Sequence, residues 1–137
     1  MRTRLAICIL IGVPIFGSAQ APNPETTQPS KATIEGLVRD IACPIQNLEA
    51  TATHLSMKCL HECARAGSPL VILTKDGELY LPISDEMPDR DQRQKLMPFL
   101  GQYVRASGTV FDRKGTHAIA ITKIEQLKNV HLDIEDH

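Results

Sequence analysis

Two short apolar runs, Leu70-Val71-Ile72-Leu73-Thr74 and Glu78-Leu79-Tyr80-Leu81-Pro82-Ile83, flank Lys75-Asp76-Gly77. No other feature of the chain limits its fold as tightly. The first run is β-branched and both are strand-sized. Asp-Gly between two such runs predicts a hairpin closed by a type I′ turn, in which both central residues take positive φ.

The remaining periodicity extends this sheet. Thr33 to Asp40 alternates imperfectly around Gly36 and predicts a first strand. Tyr103 to Phe111 predicts a fourth. After a turn over Asp112 to Gly115, Thr116 to Glu125 predicts a fifth, with His117, Ile119 and Ile121 alternating against Ala118, Ala120 and Thr122. Between strands three and four the period changes. Leu96, Phe99 and Leu100 lie three and four apart in a helix predicted over Asp89 to Leu100, with Asp89 as cap, Gly101 as stop and Pro98 shortening or kinking its end. The order is strand, insertion, strand, strand, helix, strand, strand. It resembles the OB-fold, a five-stranded Greek-key barrel with a helix between strands three and four. The expected class is therefore mainly β (α+β), with a generic α+β sandwich as the alternative.

The N-terminus reads as a secretory signal peptide. Arg2 and Arg4 precede an apolar run from Leu5 to Phe16, followed by small-x-small cleavage sites at Gly17-Ser18-Ala19 and Ala19-Gln20-Ala21. Cleavage after Ala19 is preferred because the later site would leave Pro22 first. The run is too short to span a bilayer, which takes ~20 apolar residues. Export to a periplasmic or extracellular space is the expectation, with no membrane attachment after cleavage. The expected organisation is a signal peptide over 1–19, a Pro- and Thr-rich flexible leader over 20–32, a folded domain over 33–127 with a helical insertion over 41–69, and a polar tail over 128–137.

Cleavage changes the charge and the cysteine count. It removes Arg2 and Arg4 and no acidic residue, so the net charge moves from −1 to −3. It also removes Cys8, leaving Cys43, Cys59 and Cys63, all in the insertion. Thiols tend to pair in oxidising spaces, and an odd count leaves one over as a ligand, a reactive thiol or an intermolecular partner.

Thr53 to Ala66 reads as a helix, capped by Thr53 and stopped by Gly67 and Pro69. Cys59 and Cys63, four apart, share one face of it. Met57 and His61 lie roughly 200° around, so Met57 to Cys63 is not one ligand set. His54, at the helix start, is free to turn either way. Cys59 and Cys63 do not suit a disulfide while the helix holds, since i,i+4 Cβ atoms lie ~5–6 Å apart and a disulfide needs ~3.5–4.5 Å. Cys43 reaches either of them from the preceding loop.

Three readings follow. In the first, Cys43, Cys59 and Cys63 converge on a soft metal ion, Zn²⁺ or Cu(I), with His54 as a fourth ligand. In the second, a disulfide from Cys43 to Cys59 or Cys63 staples the insertion in a structural or interaction domain. In the third, the chain is a thiol-redox protein, although it has no Cys-x-x-Cys pair. The pattern Arg39-Asp40-x-x-Cys43, His54, Cys59, Cys63, Gly67, Pro69 and Asp76-Gly77-x-Leu79-Tyr80 resembles short exported bacterial proteins with a His…Cys-x₃-Cys helix. That resemblance implies a shared exported fold with retained cysteines, and no activity.

Other chemistry is weakly supported. Asp40 reads as a turn cap, and His117 as a half-exposed strand residue. Asp85, Glu86, Asp89 and Asp91 bias a helix start, and the C-terminal His131, Asp133, Glu135, Asp136 and His137 read as a solvated tail. Nucleic acid is not expected, because binding needs aromatic platforms in a basic groove. The mature chain offers only Tyr80, Phe99, Tyr103 and Phe111 on an acidic background. An unidentified protein or small ligand is the remaining partner class, and a non-enzymatic role is favoured over catalysis.

Overall fold

The computed structural model describes residues 27–135. The signal peptide, its cleavage sites, Cys8 and the last two residues lie outside them. Among the described residues no helix is long and apolar enough to cross a membrane.

In chain order the elements are β1 (Thr27–Asp40), α1 (Ala42–Gln46), β2 (His54–Ser56), α2 (Met57–Arg65), β3 (Leu70–Leu73), β4 (Leu79–Pro82), α3 (Arg93–Leu96) with a 3₁₀ turn over Met97–Phe99, β5 (Tyr103–Arg113), β6 (Thr116–Gln126) and β7 (Asp133–Glu135). Five strands close a barrel in the order β1-β3-β4-β6-β5. All contacts are antiparallel except β4 against β6, which run parallel. The fold is thus a small OB-like β-barrel of the α+β kind.

Closure depends on β1, which pairs with β5 through Leu37 and with β3 from Leu37 onward. Gly36 sits at this changeover. A Cβ there would strike the backbone carbonyl of Leu73, so the crossing of the two partners requires a residue without one.

The strand alternation divides the apolar residues between two faces. Val38, Ile72, Val104, Ala106, Val110, Ile119 and Ile121 fill the barrel. Their neighbours Leu37, Leu73 and Tyr103 face outward and meet Ala52, Leu55 and Leu60 of the insertion, with Leu127, Val130 and Leu132 packed alongside. The second cluster glues the insertion and the C-terminal segment to the outer wall.

Several expectations are corrected here. The leader does not extend to residue 32, because β1 begins at Thr27 and pairs with β5 over that stretch. Residues 128–135 are not a solvated tail: Val130 and Leu132 pack on the outer cluster, and β7 pairs in parallel with β2. The insertion helix starts at Met57 instead of Thr53, with Ser56 as its cap, accepting from the Cys59 amide at 3.3 Å. The helix expected over Asp89 to Leu100 shrinks to one turn plus a 3₁₀ turn containing Pro98. Asp89 binds the Ser84 amide (2.8 Å) and hydroxyl (2.9 Å) instead of capping it.

The hairpin turns are also redistributed. Between β3 and β4, Gly77 is left-handed (φ 86°) but Asp76 is not, so the turn is not type I′. The Gly77 amide donates to the Thr74 carbonyl, and the Thr74 amide to the Glu78 carbonyl, each at 3.0 Å. This is the longer hairpin loop with a single left-handed glycine. The type I′ geometry appears between β5 and β6, where Lys114 (φ 49°) and Gly115 (φ 84°) are both left-handed.

Candidate metal centre on the outer wall

Residues 41–69 leave and re-enter the barrel at one point. Asp40 pairs with Leu70 in the sheet, and the Ile41 amide donates to the Pro69 carbonyl at 2.9 Å. Inside this closed excursion α1 carries Cys43 and α2 carries Cys59 and Cys63 on one face, one turn apart. The far end of α2 is held by Arg93 of α3, which donates to the carbonyls of Ser68 (2.7 Å) and Ala64. A cation at a helix C-terminus satisfies orphan carbonyls and complements the dipole.

The three sulfurs lie within 4.8 Å of one another. Three cysteines this close, all part-buried, can bind a metal ion. Cys43 Sγ is 2.9 Å from Cys59 Sγ, and all three thiols are free, so the disulfide of the alternative reading, from Cys43 to Cys59 or Cys63, is not formed. An S–S bond would be about 2.05 Å. Sulfurs sharing an ion at ~2.3 Å would sit roughly 3.8 Å apart in tetrahedral geometry. The residues therefore fit an ion, provided Cys43 and Cys59 separate by about 1 Å.

A charged pair lies beneath the thiols. Asp40 is fully buried and accepts from the Cys43 amide at 2.8 Å, while its other carboxylate oxygen has no partner. Arg39 is 2% exposed and donates from Nη1 to the Thr51 carbonyl at 3.1 Å, leaving Nε unpartnered. Arg39 thereby fastens the insertion from below, and Asp40 fixes the loop that carries Cys43. The sequence marks Asp40 as a turn cap, which its bond to the Cys43 amide bears out, and gives Arg39 no role. The available signal was two adjacent charges directly after the apolar Leu37 and Val38.

Burial and charge together keep the bare Cys43 and Cys63 thiols protonated. Burial first, then the Cys59 hydrogen bond and the Asp40 charge, push the Cys43 thiol up to about 11. Burial and Asp40 raise Cys63 as well. A raised thiol is a poor nucleophile near neutral pH. A bound soft cation would displace those protons and balance the thiolates.

His54 does not join the sulfurs. It is a strand residue in β2, and its Nδ1 and Nε2 each lie 3.0 Å from a carboxylate, of Asp133 and Glu135 respectively. With both nitrogens engaged, His54 is not a fourth ligand but a clasp between β2 and the C-terminal strand. The Asp133 hydrogen bond, followed by that of Glu135, raises its pKa. His54 and Glu135 do line a cavity of about 90 Å³ together with Arg39, Ser56, Cys43 and Cys59. Elsewhere, His117 bonds Asp112 through Nδ1, and its ring centroid lies 5.2 Å from that of Tyr80.

Among the described residues the candidate metal ligands thus gather in one patch, built from the end of β1, α1 and α2. Comparison of the chain with models of known families, with characterised proteins and with solved structures finds no match.

Proposed function

We propose that this protein is an exported, non-enzymatic binding module that holds one soft metal ion, Zn²⁺ or Cu(I), through Cys43, Cys59 and Cys63. The observation that carries the reading is the convergence of three thiols within 4.8 Å from two helices. Soft thiolates select these ions. The export half rests on the leader sequence alone, with its basic start, short apolar run and small-residue cleavage sites.

Native mass spectrometry of the reduced full chain, exposed in turn to zinc and to Cu(I) without oxygen, tests the proposal. One retained ion is expected, with loss of retention in Cys43→Ser, Cys59→Ser and Cys63→Ser. Retention of neither ion, or undiminished retention in all three variants, would sink it. The second reading is a domain stapled by a Cys43–Cys59 disulfide. It is favoured by their 2.9 Å approach, and by it Cys43→Ser lowers the melting temperature of the oxidised chain while metal retention stays absent.

A further inference from the structure

Cys43 and Cys59 stand closer together than two ligands of one ion and farther apart than a bond. From 2.9 Å, a disulfide at ~2.05 Å lies roughly 0.9 Å in one direction, and a shared ion at ~3.8 Å the same distance in the other. Of the two thiols on α2, it is Cys59 that approaches Cys43 to 2.9 Å. Cys63 shares α2 with Cys59 at i,i+4, a spacing an intact helix keeps too long for a disulfide. Cys43, by contrast, rides on a five-residue helix. Its own Ile45 is 60% exposed, and Leu48 in the loop that follows is 90% exposed. The Cys43 side of the pair therefore has room to adjust, while α2 is held at both ends by Ser56 and Arg93.

We propose that the three-thiol site is a redox-released metal site, in which Cys43 and Cys59 close into a disulfide under a small disulfide oxidant and Cys63 is left as the single thiol. The inference rests on the metal-binding reading above. Two ligands vanish in one step, and a single remaining thiolate does not hold the ion.

With zinc as the ion and oxidised glutathione as the oxidant, the step balances. One protein thiolate displaces a glutathione from the oxidant and forms a mixed disulfide. The second protein thiolate attacks that sulfur, forms the Cys43–Cys59 bond and expels the other glutathione. Two electrons pass from the protein sulfurs to glutathione, and Zn²⁺ leaves with its charge unchanged. Three protons are taken from solvent, one by Cys63 and one by each released glutathione.

The test uses the reduced full chain loaded with zinc and equilibrated in glutathione buffers of rising oxidation. Released zinc is followed with a chromophoric chelator, and bonds are located by peptide mapping. Zinc release in step with a Cys43–Cys59 crosslink, with uptake restored by dithiothreitol, is expected. Cys59→Ser should abolish the crosslink, and Cys63→Ser should leave it in place. A crosslink mapped to Cys63, glutathione adducts without an internal bond, or zinc retained by the crosslinked chain would overturn the switch. Failure of the reduced chain to take up zinc or Cu(I) before any oxidant is added would instead overturn the metal reading beneath it.

Discussion

The barrel interior and the cluster on its outer wall share the same strands but draw on different kinds of contact. Inside, Val38, Ile72, Val104 and Ile119 come from strands whose turns and alternation are locally encoded. Outside, Leu37, Leu73 and Tyr103 meet Leu55 and Leu60 from the insertion and Leu132 from the C-terminal segment. The interior is a closed sheet with every strand paired on both sides. The outer module is short helices and one pair of three-residue strands, packed on the barrel through side chains. The thiols belong to the second region, where less backbone pairing holds the chain and local opening is easier.

The sharpest way to break this contrast is a pair of truncations. Ile119→Ala removes a fully buried barrel side chain and should cost about 3–5 kcal/mol, read from the urea midpoint. Leu60→Ala, equally buried in the outer cluster, should cost about 2–3 kcal/mol. Hydrogen exchange then separates them. Ile119→Ala should loosen both regions, while Leu60→Ala should release residues 41–69 and leave β5 and β6 protected. Equal loss of protection in β5 and β6 in the two variants would mean that the regions are one cooperative unit.

A smaller effect probes the charge beneath the thiols. Asp40 helps raise both Cys43 and Cys63. Asp40→Asn keeps a hydrogen-bond acceptor for the Cys43 amide and removes the negative charge, so both thiols should ionise at lower pH than before. Alkylation rates against pH, resolved by residue, measure this. An unmoved profile would show that burial and the neighbouring thiols set these groups without Asp40.

The smallest effect concerns the His54 clasp. Its pKa is raised in the folded chain, mainly by Asp133, so its contribution is complete below the ordinary histidine value of 6.5. It disappears as pH rises through the folded value. Carboxypeptidase trimming of the C-terminal segment should therefore be slower near pH 6 than at about pH 8.5, and His54→Gln should flatten the difference. Trimming at the same rate at both pH values in the unaltered chain would remove the clasp from the account.

The strands were legible because alternation and turn residues act over a few positions. The turn chemistry was only half legible. Asp76-Gly77 marks a hairpin, but the left-handed pair occurs at Lys114-Gly115, where the strand register leaves two residues between Arg113 and Thr116. The shared face of Cys59 and Cys63 was legible, since helical spacing fixes it. The role of His54 was not, because its partners lie 79 and 81 residues away in a segment whose polarity reads as solvated. Arg39 was missed for a similar reason. The strand pattern ends in charges, and only the insertion folding over the outer wall buries them.

What the sequence by itself determined is the set of local choices: five barrel strands, the stops at Gly67 and Gly101, and three cysteines confined to one insertion. These follow from backbone preference and side-chain period, which need no distant partner. The tertiary structure alone decided that Cys43 meets Cys59, that His54 turns toward Asp133 and Glu135 and away from the sulfurs, and that the C-terminal segment closes the outer cluster. Those outcomes depend on which faces remain apolar after the barrel closes. Burying them brings together residues that no local rule connects.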